Sequence, residues 1–184
     1  MRVIKNILLT GRPGVGKTTL IKKIAKALPG KIGGFYTEEI REKDKRLGFR
    51  IVDFEGNKGI LAHVKVKSPV KISKYGVNFS DLEKIGVVAI KKAQKEADFI
   101  VVDEVGKMEL ASKKFISAIL SALNSPKICI ATIMQKDNFL TRRMKGRGDV
   151  RLFEITFENR DRLVEEILEF INTLKSKHQI LNKF

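Results

Sequence analysis

The chain alternates short apolar runs with longer stretches in which apolar residues recur at helical spacing. Short apolar runs are typical of strands buried on both faces, and they occupy residues 3–10, 99–102 and 128–134. Residues 150–157 are predicted to form a further strand. Helical spacing marks residues 17–28, 82–93, 112–123 and 160–174. This alternation predicts the α/β fold class, with a mostly parallel sheet covered by helices on both faces.

The region between residues 34 and 64 departs from this alternation. Short strand-like runs occur at 35–37, 48–54 and 59–64, and residues 55–58 (Glu-Gly-Asn-Lys) supply a turn between the last two. The pattern predicts an antiparallel hairpin inserted into the α/β chain.

Nothing in the sequence marks a boundary between domains. The 184 residues contain no internal repeat and no low-complexity linker, and they suffice for one sizeable core. We therefore expect a single domain over residues 1–176 and a C-terminal tail over residues 177–184. Within the domain, residues 80–83 (Ser-Asp-Leu-Glu) have the spacing of a capping box, which predicts where the second helix begins.

Residues 11–18 form a phosphate-binding motif between the first predicted strand and the first predicted helix. They match G-x-x-x-x-G-K-[ST] without a gap, and this strand–loop–helix setting is the one that the motif requires. Backbone amides of such a loop surround phosphates, and the positive end of the helix points at them. The Lys17 ammonium is expected at the β and γ oxygens, and the Thr18 hydroxyl on Mg²⁺. The predicted nucleotide contacts are Gly11, Arg12, Pro13, Gly14, Val15, Gly16, Lys17, Thr18 and Thr19.

Two consecutive carboxylates follow the apolar run at residues 99–102. A carboxylate at the carboxyl end of a parallel strand, beside the phosphate loop, can hold Mg²⁺ through water, and we assign this role to Asp103. The next carboxylate, Glu104, is predicted to orient and polarise an attacking water. Thr18 and Asp103 are thus the predicted metal ligands, while Lys17 and Glu104 are the predicted catalytic residues.

The cation that stabilises the transition state is harder to choose. Lys107 lies just past the two carboxylates and is expected to approach the phosphates. Candidates for an arginine finger are Arg142, Arg143, Arg147 and Arg160, each of which is equally well explained as a solvated surface charge. Asn159 and Arg160 also stand where base-binding segments often run in such folds, although both could serve only to begin the last helix.

The charge of the chain admits two interpretations. Its formal net charge is +16 and its pI is about 10.0. Basic residues are scattered along the chain and interleaved with acids, which favours a Lys-rich surface around a site that attracts a polyanionic nucleotide. A nucleic-acid partner is the less favoured interpretation, because the chain has no block of basic residues and no arginine-rich motif.

The remaining composition bears on location. No apolar run approaches the ~20 residues of a membrane helix, and the first residues lack the long apolar segment of a secretory signal. The lone cysteine, Cys129, lies in a predicted strand and is expected to be a small core residue. We therefore expect a cytoplasmic protein without a membrane partner, acting as a monomer.

Taken in order, the motifs resemble one known family. The chain is similar to the small nucleoside triphosphatases of the THEP type, also called cancer-related nucleoside triphosphatases. The resemblance rests on residues 11–18, 34–41, 48–49, 103–110 and 156–160. The segment 103–110 (Asp-Glu-Val-Gly-Lys-Met-Glu-Leu) is the specific part, and its one departure is Val105 where isoleucine is expected.

This resemblance implies a three-layer P-loop NTPase fold. Its mostly parallel sheet would be RecA-like, with one strand between the phosphate-loop strand and the strand that carries Asp103, and with the antiparallel hairpin inserted. It also implies slow, Mg²⁺-dependent hydrolysis of several NTPs (ATP, GTP, CTP and UTP) to NDP and phosphate, with weak base preference. The family's functional positions correspond to residues 11–18, Asp103 and Glu104.

Two other functions remain open from sequence. A nucleotide or nucleoside kinase would share Lys17, Thr18 and Asp103 but would need an acceptor pocket and an arginine-rich lid, for which residues 142–147 are a candidate. A nucleotide-gated RNA-binding module would account for the high charge and would bind RNA in a salt-sensitive way. The position of Glu104 favours water as the nucleophile, which counts against the kinase, whereas the RNA-binding module would use hydrolysis as a timer.

Overall fold

The computed structural model describes the backbone of residues 3–181 and the side chains of residues 3–176. Within them lie nine strands: β1 (Asn6–Gly11), β2 (Ile32–Glu42), β3 (Lys45–Asp53), β4 (Lys58–His63), β5 (Lys71–Ile72), β6 (Tyr75–Val77), β7 (Phe99–Val105), β8 (Ile128–Ile133) and β9 (Val150–Ile155). The α-helices are α1 (Lys17–Ala27), α2 (Phe79–Asp81), α3 (Val88–Glu96), α4 (Lys113–Asn124), α5 (Phe139–Lys145) and α6 (Leu163–Leu181). A π-helical segment, Leu82–Val87, joins α2 to α3.

All nine strands form one mixed sheet in the order β5-β6-β4-β3-β2-β7-β8-β1-β9. The parallel half consists of the start of β2 with β7, β8, β1 and β9, and β8 lies between β1 and β7. The antiparallel half consists of the rest of β2 with β3, β4, β6 and β5. The predicted fold class and the strand between β1 and β7 are therefore confirmed.

The junction between the halves lies within β2. Its first residues, 32–35, pair in parallel with β7, and residues 35–42 pair antiparallel with β3. The antiparallel part is larger than the predicted hairpin, because β5 and β6 add two short strands. Strands of two and three residues carry no periodic pattern that a sequence could reveal.

Two apolar cores cover the faces of the parallel half. Because side chains alternate along a strand, Leu8 of β1 joins one core, whereas Ile7 and Leu9 join the other. The first core includes residues of α3 and α4, and the second includes residues of α1 and α6. Each fully buried Leu or Ile contributes about 1.5–3 kcal/mol, so the central strands are held firmly on both sides. Cys129 is buried in the first core, as predicted, and burial raises the pKa of its thiol to about 12.

Several boundaries differ from the prediction. The helix near residue 80 begins at Phe79, and the capping side chain is Asn78, whose Oδ1 accepts from Asp81 N at 3.3 Å. The predicted capping box at residues 80–83 is therefore wrong, because the side chain of Asn78 caps this helix instead. The polar stretch after β8 contains α5, which begins with a capping box of Asn138 and Thr141.

The last helix, α6, also differs from its predicted range. It begins at Leu163 rather than Arg160 and continues to Leu181, so residues 177–181 of the predicted tail are helical and residues 182–184 lie outside the described part. None of the described helices is long and apolar enough to cross a bilayer.

Candidate active site

The carboxyl ends of β1, β7 and β8 meet at one edge of the sheet, where the phosphate loop (residues 11–18) leads into α1. Gly16 caps α1 with φ 104°, in the left-handed region that a side chain disfavours, so the loop needs glycine here. The first turn of α1 contains no acidic residue, so no acidic side chain of that turn neutralises the positive end of the helix. The loop is therefore built to receive an anion.

The Lys17 side chain connects the loop to the acidic residues of β7. Its ammonium donates to the carbonyl of Gly11 at 3.1 Å and lies 3.9 Å from Glu104 Oε2. The exposed fraction of the side chain is 10% for Lys17 and 32% for Glu104. An anion bound at the loop would thus contact the Lys17 ammonium, which lies close to the Glu104 carboxylate.

Asp103 is fully buried and is held by hydroxyl groups from three different elements. Thr18 of α1 donates to Oδ2 at 2.8 Å, Thr37 of β2 donates to the same oxygen at 3.2 Å, and Thr132 of β8 donates to Oδ1 at 2.6 Å. Sequence reasoning found Thr18 but missed Thr37 and Thr132. Both are threonines on strands that lie near the phosphate loop. They can be recognised as partners of Asp103 only when the order of the strands is known.

This arrangement fits Mg²⁺. None of the salt bridges among the described side chains involves Asp103, so its buried carboxylate has oxygen partners but no cation partner. The described residues contain no group of three His, Cys, Asp or Glu that could hold a metal alone. Mg²⁺ commonly takes only one or two carboxylates and completes its shell with phosphates and water, so Asp103 and Thr18 suit it.

An irregularity in β7 brings two consecutive carboxylates to one edge. In a regular strand, neighbouring side chains point to opposite faces. The pairing of β7 with β8 shifts register between Val102 and Val105, which breaks this alternation across Asp103 and Glu104. Both carboxylates therefore reach the phosphate loop, Asp103 through Thr18 and Glu104 beside Lys17.

Burial changes the acidity of two glutamates in this region. It raises the pKa of Glu104, an effect that the Lys17 charge opposes and the Asp103 charge adds to. It also raises the pKa of Glu109 to about 8, with a further contribution from the Glu104 charge. Glu109 Oε2 accepts from the Gly106 amide at 3.1 Å. A methyl group on Gly106 would lie 3.0 Å from an oxygen of each glutamate, so a side chain there would require both carboxyl groups to shift.

Glu109 is a site residue that sequence reasoning passed over. It belongs to the segment 103–110 that carries the family resemblance, but the sequence gives it no role of its own. The turn at Gly106 folds the chain back and places Glu109 in the wall of the same cavity as Glu104.

A cavity of about 800 Å³ opens over the loop and collects most of the predicted contacts. The predicted residues in its wall are Gly11, Pro13, Gly14, Gly16, Lys17, Thr18, Thr19, Glu104 and Lys107. Three others lie elsewhere: Arg12 is exposed, Val15 packs into the core of α1 and α6, and Asp103 is buried behind Thr18. The antiparallel half supplies the opposite wall, which includes Arg46, Phe49, Leu61 and Ile72.

The four candidate arginines lie at different distances from the phosphate loop. Arg147 donates to the carbonyl of Leu123 at 3.1 Å and pairs with Asp149 at 2.7 Å, next to the amino end of β1. It therefore lies at the edge of the sheet opposite the loop, and we remove it from the candidates. Arg142 and Arg143 are exposed on α5, after the carboxyl end of β8. Arg160 lies in the turn after β9.

Comparison with known proteins agrees with this geometry. The family model described as NTPase matches residues 6–168. The nucleoside-triphosphatase THEP1 of Thermotoga maritima is 47% identical over 173 residues, covering 94% of this chain and 99% of that protein. The protein of the same name from Methanocaldococcus jannaschii is 44% identical over 169 residues, covering 90% and 96%.

Two solved structures are also similar. The crystal structure of THEP1 from the hyperthermophile Aquifex aeolicus has a TM-score of 0.83 at 38% identity, covering 90% of this chain and 98% of that one. The solution structure of a human cancer-related nucleoside triphosphatase has a TM-score of 0.76 at 34% identity, covering 92% and 98%. The chain thus belongs to the THEP1 family of nucleoside triphosphatases, enzymes with the P-loop NTPase fold.

Proposed function

We propose that this enzyme hydrolyses ATP, GTP, CTP and UTP to the diphosphate and inorganic phosphate, with Mg²⁺ and with low base specificity. The observation that carries the proposal is the meeting of Lys17, Thr18, Asp103 and Glu104 at the mouth of the phosphate loop. These residues would contact the phosphates, the metal and the attacking water, and none of these differs among the four substrates. Nothing in this set distinguishes one base from another.

Binding comes from the loop and its lysine. The amides of the loop and the positive end of α1 surround the phosphates, and the Lys17 ammonium neutralises charge on the β and γ oxygens. Because the ammonium is mostly buried, its attraction for phosphate is weakened less by water than that of a surface lysine. Lys17 thus serves both to bind the substrate and to stabilise the charge that develops as the terminal bond breaks.

Thr18 and Asp103 would hold the metal. When bound, Mg²⁺ would supply positive charge that offsets the charge developing on the phosphates. The Thr18 hydroxyl lies 2.8 Å from Asp103 Oδ2, so both oxygens are already close together. Thr37 and Thr132 keep the Asp103 carboxylate in this orientation.

Glu104 acts on water. Its carboxylate accepts a proton from the water whose oxygen attacks the γ phosphorus, while the bond between that phosphorus and the bridging oxygen breaks and the diphosphate leaves. Burial raises the pKa of Glu104, which makes the ionised group a stronger proton acceptor. Most of the rate enhancement would come from positioning and electrostatics rather than from proton transfer alone.

The direct test is phosphate release from each of the four NTPs without any acceptor. We expect release from all four with Mg²⁺ and none with excess EDTA. The same release at saturating EDTA would contradict the metal requirement, and release from one NTP alone would contradict low base specificity. Release only after a nucleoside, a nucleoside monophosphate or RNA is added would replace hydrolysis with transfer or with RNA gating.

Phosphoryl transfer is the second candidate, and the cavity favours it in one respect. The cavity continues past Glu104 to the wall formed by Phe49, Leu61 and Ile72, with Arg46 beside them, and this space exceeds what three phosphates need. An acceptor could lie there. Chromatography of the products with γ-labelled ATP and a panel of nucleosides and monophosphates distinguishes the two reactions, because transfer puts the label on the acceptor and hydrolysis puts it on free phosphate.

A further inference from the structure

The turn that follows β9 presents an aromatic ring to solvent beside the phosphate loop. Strand β9 pairs in parallel with β1, and Ile155 at its end lies opposite Gly11, the first residue of the loop. Phe157 follows two residues later, and 61% of its surface is exposed. A single exposed phenylalanine is ordinary on a protein surface, so its position and its support decide what it signifies.

The backbone that carries Phe157 is held by three hydrogen bonds that involve the side chains of Thr156 and Asn159. The Thr156 amide donates to Asn159 Oδ1 at 2.8 Å, and the Asn159 amide donates to the Thr156 hydroxyl at 3.3 Å. The Asn159 side-chain amide donates to the carbonyl of Glu154 at 2.8 Å. These bonds hold residues 156–159 in a turn, so the backbone that carries the ring is fixed before any ligand binds.

Charge also connects this turn to the loop. The pKa of Glu158 lies below its usual range, mainly because of a hydrogen bond from Thr156 and in smaller part because of the Arg12 charge. The end of β9 also lies against the loop, because a methyl group on Gly11 would be 2.6 Å from the carbonyl oxygen of Ile155. The Arg160 guanidinium lies over the Phe157 ring, 5.4 Å from its centre. The ring therefore stands on a turn next to the loop and has a cation beside it.

The order of the strands gives the direction of a bound nucleotide. Glu104 is on β7, and the order β7-β8-β1-β9 puts β7 two strands to one side of β1 and β9 one strand to the other. Neighbouring strands are about 4.8 Å apart, so these two sides are about 15 Å from each other. If the γ phosphate lies beside Glu104, the chain of phosphates crosses the loop and the nucleoside leaves it on the side of β9, where Phe157 is.

We infer that the Phe157 ring is the surface on which the base of a bound nucleoside triphosphate stacks. This inference rests on the proposed function for the position of the γ phosphate. Stacking requires only the flat face of a base, which every nucleotide has, so such a contact adds affinity without strong selection among bases. Asn159 is the positioning residue that fixes the turn. Purines, with the larger face, should gain more than pyrimidines.

Tryptophan fluorescence provides the first test. The chain contains no tryptophan, so Phe157→Trp creates a single emitter. We expect ATP or GTP with Mg²⁺ to quench its emission, and inorganic tripolyphosphate, which has no base, to leave it unchanged. Val88→Trp, at an exposed position on α3, reports any general effect of nucleotide. Phe139→Trp is the rival position, because Phe139 is also exposed and has Arg143 at 5.5 Å from its ring centre.

Kinetics provide the second test. We expect Phe157→Ala to raise the KM for ATP by about 5- to 100-fold with little change in kcat, and Phe157→Tyr to restore it. Competition by tripolyphosphate against ATP should give the same inhibition constant in Phe157→Ala as in the wild type. The inference would be overturned by an unchanged KM, by an unchanged Phe157→Trp emission at saturating ATP, or by a larger emission change at position 139 than at 157.

Failure of the inference and failure of the proposed function are distinguishable. If wild-type protein releases no phosphate from any NTP while ATP quenches Phe157→Trp, the base platform stands and hydrolysis does not. If phosphate is released but the Phe157→Trp emission and the KM of Phe157→Ala are both unchanged, hydrolysis stands and the platform does not.

Discussion

The acidic residues around the phosphate cavity are placed differently in the two halves of the sheet. In the parallel half, Asp103 and Glu109 are almost entirely buried, and both lie at the edge that carries the phosphate loop. In the antiparallel half, Glu39 is paired with Arg41 and Arg46 at 2.7 and 2.6 Å, and all three are substantially exposed. Burying a carboxylate is costly, whereas a surface ion pair stabilises a protein by at most about 1 kcal/mol. Carboxyl groups buried together beside a phosphate loop thus indicate chemistry better than exposed ion pairs do.

The largest expected effect is on the parallel half. Lys17→Ala removes the ammonium between the loop and Glu104, and we expect phosphate release to fall on the order of 10²–10³-fold or more. Lys23→Ala on the same helix is the matched control, since Lys23 is exposed and its removal changes the net charge equally. Steady-state phosphate release measures both. Equal losses in the two variants would mean that overall charge, rather than the loop lysine, governs activity.

A buried acid should also make stability depend on pH. The pKa of Glu109 is about 8 in the folded protein, against about 4.3 in an unfolded chain. Between these values the folded state binds more protons, so the free energy of unfolding falls as pH rises, by up to about 1.4 kcal/mol per pH unit. Glu109→Gln removes this term and can still accept from the Gly106 amide.

Urea unfolding at pH 5, 7 and 9 measures this difference. Relative to Glu109→Gln, wild-type protein should lose on the order of 3–5 kcal/mol of stability between pH 5 and 9. Glu165→Gln, at an exposed position on α6, should follow the wild type. Parallel curves for wild type and Glu109→Gln would show that Glu109 is ionised in the folded protein, against our account.

The smallest expected effect is on the antiparallel half. The Tyr75 hydroxyl accepts from Arg46 Nε at 3.2 Å and donates to the Arg46 carbonyl at 3.4 Å. Tyr75→Phe should lower the free energy of unfolding by about 0.5–1.5 kcal/mol and leave phosphate release unchanged. Denaturant unfolding and the phosphate assay measure the two. A tenfold loss of phosphate release in Tyr75→Phe would contradict the view that catalysis depends on the parallel half alone.

The sequence predicted the parallel half well because its signals are local. A continuous apolar run followed by Asp103 is visible in the chain, and the phosphate motif carries its own spacing. Knowing that carboxyl ends of parallel strands meet at one edge was enough to bring Thr18 and Asp103 together. The structure has them in hydrogen-bond contact at 2.8 Å.

Other features depend on contacts that the sequence does not display. Thr37 and Thr132 reach Asp103 across 66 and 29 residues, so their role follows only from the order of the strands. Helix α5 was missed because only Thr141 and Met144 are buried in it, which leaves almost no amphipathic pattern. Arg147 seemed a candidate for the site by its place in the chain, and folding puts it at the opposite edge.

The central claim is that Glu104 acts on the water that attacks the γ phosphorus. Its most direct test is a comparison of nucleotide affinity and turnover in wild-type protein, Glu104→Gln and the control Glu165→Gln, using equilibrium binding of a non-hydrolysable ATP analogue and single-turnover phosphate release. We predict that Glu104→Gln binds nucleotide as the wild type does and releases phosphate on the order of 10²-fold more slowly or worse. Turnover at the wild-type rate in Glu104→Gln would contradict the account.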